Sequence, residues 1–297
     1  MSDLYIRGMD FPTMLAEDKA LHEELFSEAV YNNIYPYKVF YGVLPNFEFE
    51  RVTILYGGNG SGKTTILNVM AEALGIRRHT KFNKTAFFDS YVRLCRVYGV
   101  NKSAVMKMIT SDDVFNSIFF TRERNEIIDE KREKLFQEYA YYANPYTHIQ
   151  DEMGNVNYLE HLEKLKSLIQ AKNNTGSYYV KTRAEKNIIG KSNGETAIDF
   201  FMKELNDRGL YLLDEPENSL SARYQMELAS YLSESSRFFG TQLVIATHSP
   251  FMLSIPGAKI YNLDTRPVSV TFDWTKLENM KCYYEFFKSF EADFEGR

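Results

Sequence analysis

Residues 57–64 read Gly57-Gly58-Asn59-Gly60-Ser61-Gly62-Lys63-Thr64, a G-x4-G-K-T motif that constrains the fold more than any other feature of the chain. An apolar strand, Val52-Thr53-Ile54-Leu55-Tyr56, leads into it. A helix from Lys63 to about Leu74 is expected to lead out, with Ile66, Leu67, Met70 and Leu74 on one side. Strand, glycine-rich turn and helix together make a phosphate-binding loop. The glycines let the backbone turn tightly and bring N–H groups near a polyphosphate. The helix N-terminus adds unpaired donors and a positive partial charge. Lys63 would neutralise β- and γ-phosphates, and the Thr64 hydroxyl would complete a Mg²⁺ shell. The candidate cofactor-binding residues are therefore Gly57, Gly58, Asn59, Gly60, Ser61, Gly62, Lys63, Thr64 and Thr65, with ATP and Mg²⁺ as the cofactors.

The surrounding pattern alternates strand and helix, which predicts a mostly parallel sheet with helices on its faces. Strands are expected over 37–43, 47–56, 178–183, 210–214 and 242–247, with closing strands over 259–263 and 268–272. Residues 105–109 read as a strand or as a continuing helix. Helices are expected over 194–206, 218–236 and 276–290. Residues 113–172 form a helical insertion in what is otherwise a single domain over 1–297. Within the insertion, Asn144-Pro145 breaks one helix, 151–157 is a loop, and a second helix follows from Tyr158 to Lys172. No long heptad run is present, which excludes an extended coiled coil.

Two further strands end in chemistry. Leu210-Tyr211-Leu212-Leu213 delivers Asp214-Glu215 to the carboxyl edge of the sheet, where ligands bind in open α/β folds. Asp214 is suited to hold Mg²⁺ and Glu215 to polarise a water in line with the γ-phosphate. Ser219 is placed to cap the helix that follows. The strand Gln242–Thr247 delivers His248, which could donate to the γ-phosphate and report its loss. The catalytic candidates are Glu215, His248 and Lys63, and the metal candidates are Thr64 and Asp214. In Gly190-Lys191-Ser192-Asn193-Gly194-Glu195-Thr196, Ser192 and Glu195 have the spacing of a capping box. A capped, glycine-containing helix N-terminus is also an anion receptor, so Ser192 and Gly194 join the cofactor-binding candidates.

Composition excludes several classes. Of 297 residues, 44% are apolar and 25% charged, which is a globular balance. Aromatic residues make up 15%, which predicts an aromatic-rich core. No apolar run approaches the roughly 18 residues of a membrane span. Residues 1–19 carry Asp3, Asp10, Glu17 and Asp18 without a signal-peptide apolar core, so a cytoplasmic location is expected. Two cysteines are too few for a disulfide framework or a thiolate metal site. A net charge of −5 leaves only local surfaces for nucleic acid. Arg77, Arg78, His79, Lys81 and Lys84 form one basic segment, and Lys181, Arg183, Lys186 and Lys191 another. Either could track a nucleic-acid backbone or simply be solvated. Tyr37 and Phe40 could stack on adenine or pack in the core.

Taken together these motifs resemble the ABC-type ATPase superfamily. Gly57–Thr64 matches its Walker A, Leu210–Asp214 its Walker B and Glu215 its catalytic glutamate. Ser219-Leu220-Ser221 looks like its D-loop, His248 its switch histidine, and Lys191-Ser192-Asn193-Gly194-Glu195 a variant of its signature. The wording is similar to stand-alone bacterial AAA-type ATPases related to SMC, RecF and OLD heads. The resemblance implies an α/β P-loop NTPase fold: an ABC-ATPase-like head with a mostly parallel central sheet, an antiparallel β portion and a helical insertion. It also implies Mg²⁺-dependent ATP hydrolysis by a head-to-tail homodimer, in which Ser192 and Gly194 of one subunit meet the γ-phosphate held by Lys63 of the other. Such a dimer would be a switch or motor in DNA repair or antiviral defence, with a nuclease or toxin partner or with DNA. A scaffold with little turnover and a transporter's nucleotide-binding subunit are the alternatives. Against the transporter, the signature starts with Lys191 and no glutamine ends the strand near Ile109, where Ser111-Asp112-Asp113 stands.

Overall fold

The computed structural model describes residues 4–23, 33–78, 80–101, 103–144, 158–188, 192–218 and 220–296. The chain divides into two compact units, one formed by Met1–Phe115 with Asn193–Arg297 and the other by Asn116–Ser192. In chain order the first part supplies β1 (Gly8–Asp10), α1 (Met14–Glu23), β2 (Phe47–Glu48), β3 (Val52–Tyr56), α2 (Lys63–Ala73), α3 (Phe88–Leu94), β4 (Arg96–Tyr98) and β5 (Val105–Thr110). Helices α4 (Ser111–Ala143), α5 (Tyr158–Asn173) and α6 (Gly176–Lys181) follow. The chain then forms α7 (Asn193–Glu204), β6 (Gly209–Asp214), α8 (Ala222–Phe238), β7 (Gln242–Thr247), α9 (Pro250–Leu253), β8 (Lys259–Asn262) and β9 (Ser269–Thr271). It closes with α10 (Glu278–Ser289) and α11 (Glu291–Phe294).

The larger unit is built on a six-stranded sheet in the order β5-β6-β7-β3-β8-β9. All pairs are parallel except β8 with β9. Every residue of β3, β6 and β7 is buried. That suits their unbroken apolar sequences, because a parallel sheet is covered on both faces. A second sheet, β2-β1-β4, is antiparallel. The α/β class with a mostly parallel central sheet and an antiparallel portion is thus the observed one. Aromatic side chains are well represented in the interior, among them Tyr91, Tyr211, Tyr261, Phe47, Phe88 and Phe201. Others, such as Tyr284, Phe286 and Phe294 near the end of the chain, lie exposed.

One buried side chain joins the two sheets. Gln242 Oε1 accepts from the N–H groups of Tyr5 and Ile6 at 2.8 and 2.9 Å. Its Nε2 donates to Ile6 O at 2.9 Å and to Glu50 O at 3.1 Å. The segment entering β1 and the segment entering β3 are therefore held on the first residue of β7.

Three expectations are corrected. Residues 37–43 are turns, not a strand. Lys38, Tyr41 and Gly42 have φ of 63°, 37° and 72°, left-handed values that no strand accommodates. The buried carboxylate of Glu17 holds this turn by accepting from the Lys38 N–H at 2.8 Å. Residues 47–56 do not form one strand. The chain breaks after Glu48, so that Phe47 pairs with Met9 in the small sheet and Val52–Tyr56 joins the large one. Residues 178–183 belong largely to a helix, α6, and not to a strand. Thr175 caps it by accepting from the Tyr178 N–H, and Tyr179 and Val180 are buried against Leu135, Tyr139 and Tyr142 of α4. Tyr-Tyr-Val reflects burial there, because β-propensity is largely a preference for a packed surface. The alternative at 105–109 resolves as strand, since β5 pairs along its whole length with β6.

The smaller unit carries α5, α6 and most of α4. Arg183 lies 3.9 Å from the centre of the Tyr179 ring and donates to Gln170 Oε1 at 2.7 Å and Ser167 Oγ at 3.2 Å. The loop expected over 151–157 and the break at Pro145 lie outside the described residues.

Gln242→Met keeps the length of the side chain and removes its four hydrogen bonds. Three backbone N–H or C=O groups at Tyr5 and Ile6, and one at Glu50, lose their partner. Each buried orphan costs about 1–3 kcal/mol, so a loss of at least about 3 kcal/mol in urea unfolding is expected. A change below about 0.5 kcal/mol would show that the two sheets are joined by other means.

Candidate nucleotide-binding site

The site is assembled by strand register. Parallel pairing sets Tyr56, the last residue of β3, beside Thr247, the last residue of β7. It sets Asp214, the last residue of β6, between Ala246 and Thr110. The three chain segments that follow β3, β6 and β7 therefore leave the sheet at one edge, the carboxyl edge.

After β3 the loop turns on Gly60 and Gly62, with φ of 81° and 93°. At Gly62 a side chain is excluded twice over, because a Cβ would also lie 2.4 Å from Phe40 Cε1. Helix α2 starts at Lys63 with no side-chain cap and no acidic residue in its first turn, which leaves its N-terminal donors suited to an anion. Ser61 Oγ is buried and has no hydrogen-bond partner among the described residues. Lys63 Nζ donates to Gly57 O at 2.8 Å and Gly58 O at 2.9 Å, and stands 3.6 Å from Glu215 Oε1. The Thr64 hydroxyl donates to Asp214 Oδ1 at 3.0 Å. Thr65 is buried and its hydroxyl accepts from Tyr35 at 3.0 Å, which leaves its backbone as the group for a ligand. Asn59 and Gly60 are exposed at the tip.

Burial pushes the Asp214 carboxyl up to about 6, against the Thr64 hydroxyl, which favours the ionised form. Glu215 adopts a φ of 47°, an uncommon and strained conformation for a side chain of its size. Its N–H donates to Ala246 O at 2.9 Å, and its Oε2 accepts from Asn218 Nδ2 at 2.9 Å. Its Oε1 lies 3.8 Å from His248 Nδ1. Lys63, Thr64, Asp214, Glu215 and His248 are therefore brought together.

Other residues fall differently. Ser192 is exposed directly before α7. Gly194 is buried in the first turn of α7, where a Cβ would lie 2.2 Å from Tyr224 Cδ2. Gly190, Lys191 and Ser219 lie outside the described residues. Helix α8 begins at Ala222, with Ser221 rather than Ser219 at its N-cap position. Tyr37 and Phe40 are 2% and 4% exposed, so they pack in the core and are not available to stack on adenine.

The basic segment after α2 is divided. Lys84 pairs with Glu72 at 3.0 Å and Asp89 at 2.7 Å. Arg78 turns inward, donating to Asn68 Oδ1 and lying 4.8 Å over the Phe82 ring. Its burial lowers its pKa, opposed mainly by the Asp214 carboxylate. Arg77 and Lys81 remain exposed on a cavity of about 540 Å³.

Two carboxylates in the site were not anticipated. Asp264, just past β8, accepts from the Gly58 N–H at 2.9 and 3.1 Å through its two oxygens. Glu217 is buried behind His248. Burial raises its pKa, against the hydrogen bonds it accepts. The one signal in the sequence was a second glutamate in Asp214-Glu215-Pro216-Glu217.

A family model described as "AAA domain" matches residues 33–239. No curated protein matches the chain. Among solved structures, an inward-facing conformation of a metal-chelate type ABC transporter is similar at 16% identity and a TM-score of 0.37, over 76% of this chain and 74% of that one. The Smc head domain of Pyrococcus furiosus, with an extended coiled coil and bound to the C-terminal domain of ScpA, is similar at 13% identity and a TM-score of 0.39, over 81% of this chain and 94% of that one.

The raised pKa of Asp214 has a definite sign in stability. Near pH 3 and below, its carboxyl is largely protonated in both folded and unfolded chains and costs nothing. As pH rises from about 4 to about 6 the unfolded chain ionises a carboxyl that burial keeps protonated in the folded one, and stability is lost. Asp214→Asn keeps an oxygen for the Thr64 hydroxyl and removes the ionisation. Without nucleotide, the variant should match the wild type near pH 3 and exceed it by about 3 kcal/mol at pH 8 in urea unfolding. An equal difference at both pH values would show that burial does not hold the proton on Asp214.

Proposed function

Because the chain belongs to the AAA domain family, we propose that this P-loop ATPase domain binds Mg²⁺–ATP at Gly57–Thr65 and hydrolyses it with Glu215 as the general base. The observation that carries the reading is the convergence on one sheet edge of the phosphate-loop lysine and the carboxylates, with Lys63 Nζ 3.6 Å from Glu215 Oε1. The loop N–H groups and the first turn of α2 hold the phosphates. Lys63 exchanges the Gly57 and Gly58 carbonyls for a phosphate oxygen. Glu215 takes the proton of an attacking water, and His248 contacts the γ-phosphate.

Thr64 Oγ1 and Asp214 Oδ1, 3.0 Å apart, fit Mg²⁺. This ion takes hard oxygen ligands and commonly uses only one or two from the protein beside substrate phosphates. Bound there, Mg²⁺ supplies charge neutralisation on the phosphates.

The domain works as a head-to-tail homodimer in which Ser192 and Gly194 of one subunit meet the nucleotide of the other. Support for this comes from the motif set and from the exposure of Ser192 at the start of α7. Closure around ATP and release after hydrolysis make a switch or motor. Its setting is DNA repair or antiviral defence in the cytoplasm, with a nuclease or toxin as partner, as the motif resemblance suggests. DNA is a weaker candidate partner, because Lys84 and Arg78 already have partners within the fold. Among the described residues no helix is long and apolar enough to cross a membrane.

Glu215→Gln keeps the shape of the side chain and removes the base. Turnover of Mg²⁺–ATP should fall by about 10²–10⁴, while ATP still binds. In the same variant ATP should double the mass seen by light scattering. Hydrolysis at the wild-type rate in Glu215→Gln would remove Glu215 from the role of base.

A further inference from the structure

Glu217 is 3% exposed and has no part in the chemistry just described. Its Oε1 accepts from the Thr247 hydroxyl and, at 3.2 Å, from the His248 N–H. Its Oε2 is buried and has no hydrogen-bond partner among the described residues. A buried carboxyl with one idle oxygen is expensive, and an apolar side chain of similar size would fill the same space without that cost. Packing alone therefore does not account for a glutamate at this position.

The bonds of Glu217 converge on one turn. The Thr247 hydroxyl donates to Glu217 Oε1 and accepts from the Ser249 N–H at 2.9 Å. The Ser249 hydroxyl donates to Gln225 Oε1 at 2.7 Å, and Gln225 Nε2 donates to Leu220 O at 2.9 Å. His248 thus has an anchored neighbour on each side, and its own N–H is anchored to Glu217. Its imidazole stays 48% exposed. Nδ1 lies 3.8 Å from Glu217 Oε1 and 3.8 Å from Glu215 Oε1. Both separations exceed a hydrogen bond.

We propose that Glu217 is a positioning residue for His248: it fixes the turn from which the imidazole projects and shares the Nδ1 side of the ring with Glu215, so that the opposite edge, Nε2, is presented to the nucleotide phosphate. This rests on the reading of His248 as the γ-phosphate contact. The supporting geometry is independent of that reading, since the turn is organised by Glu217 and Gln225 through bonds to Thr247, His248 and Ser249 alone. The arrangement also explains the expense of the idle oxygen. A neutral amide or an apolar group at 217 could hold the turn or fill the space, but only a carboxylate puts negative charge on both sides of Nδ1.

The test is a double-mutant cycle on Mg²⁺–ATP turnover by the full chain. Glu217→Ala is expected to lower kcat by about 10- to 100-fold with KM for ATP within about 3-fold of the wild type. Glu217→Gln keeps an oxygen for Thr247 and for the His248 N–H but removes the charge beside Nδ1, so it should recover only part of kcat and stay at least about 5-fold below the wild type; full recovery would take the charge out of the proposal and leave the anchored turn alone. In a His248→Ala background, Glu217→Ala should lower kcat by less than about 2-fold further, because the residue acts through the histidine. Thr247→Val, nearly isosteric, removes the donor from the other side. It should lower kcat in the same way, and it decides the matter if Glu217→Ala does not fold. Multiplicative effects of Glu217→Ala and His248→Ala, or a loss at Glu217 that appears in KM and the unfolding midpoint together, would overturn the proposal and leave Glu217 a structural residue. Unchanged turnover in both Glu217→Ala and Thr247→Val would do the same. Absence of turnover in the wild type would instead overturn the ATPase reading, and this proposal with it.

Discussion

Parallel hydrogen bonding among β3, β6 and β7 is the constraint on which the site depends. Parallel strands all finish at the same edge, so the register that pairs Tyr56 with Thr247 and Asp214 with Ala246 also sets which side chains meet there. Three segments far apart in sequence, 57–64, 214–217 and 247–249, become neighbours for that reason alone. A strand with one wet face has its register fixed by the alternation of apolar and polar residues. These strands are buried throughout and carry no such alternation. Something else has to fix them, and Gln242 is placed to do so. It sits at the first residue of β7 and bonds to Glu50 O, two residues before β3 begins. The far end of the same strand carries Thr247 and then His248. A hydrogen-bond network at the amino end of the sheet thus governs the alignment of functional groups at its carboxyl end.

The parts of this arrangement that were legible in the sequence are those in which chemistry and local structure coincide. The phosphate loop declares both the glycine-dependent turn and the strand and helix around it. The Asp214-Glu215 pair closes an apolar run of strand length, and so does the Thr247-His248 step. The misread segments share a different property. Tyr37–Val43 and Tyr178–Arg183 are rich in aromatic and β-branched residues, and such content reports burial as readily as a strand. Tyr37 and Phe40 are buried from a turn, which the Glu17 carboxylate stabilises from another helix altogether. Nothing within residues 37–43 carries that information. The basic segment after α2 reads as one positive patch along the chain, and folding divides it between Glu72, Asp89, Asn68 and the Phe82 ring.

Glu217 and Asp264 were illegible for a more general reason. A lone carboxylate in a loop has no period and no motif of its own. Its role is defined by which N–H groups the tertiary fold brings to it. For Asp264 that group is the Gly58 N–H, at the entry to the phosphate loop. For Glu217 it is the His248 N–H. Both hold backbone of a residue proposed to contact the nucleotide, and neither needs to contact it.

The site also concentrates groups that a stable fold would avoid. Glu215 takes a left-handed φ, Asp214 ionises only against its burial, and Glu217 leaves one oxygen without a partner among the described residues. Each is unfavourable by on the order of 1–3 kcal/mol, and such groups cluster where the surroundings over-determine them. The surroundings here are β6 and β7, every residue of which is buried, and the hydrogen bond from Glu215 N–H to Ala246 O that continues their ladder one residue past the strand. That last bond ties the strain to its purpose. It holds Glu215 beside β7, where its Oε1 lies 3.8 Å from His248 Nδ1 and 3.6 Å from Lys63 Nζ. A phosphate at the loop competes with Gly57 O, Gly58 O and Glu215 for the same lysine ammonium. In the proposed reading, a phosphate that gained Lys63 would therefore also release Glu215 Oε1 from the lysine, which would link the arrival of phosphate to the carboxylate proposed as the base.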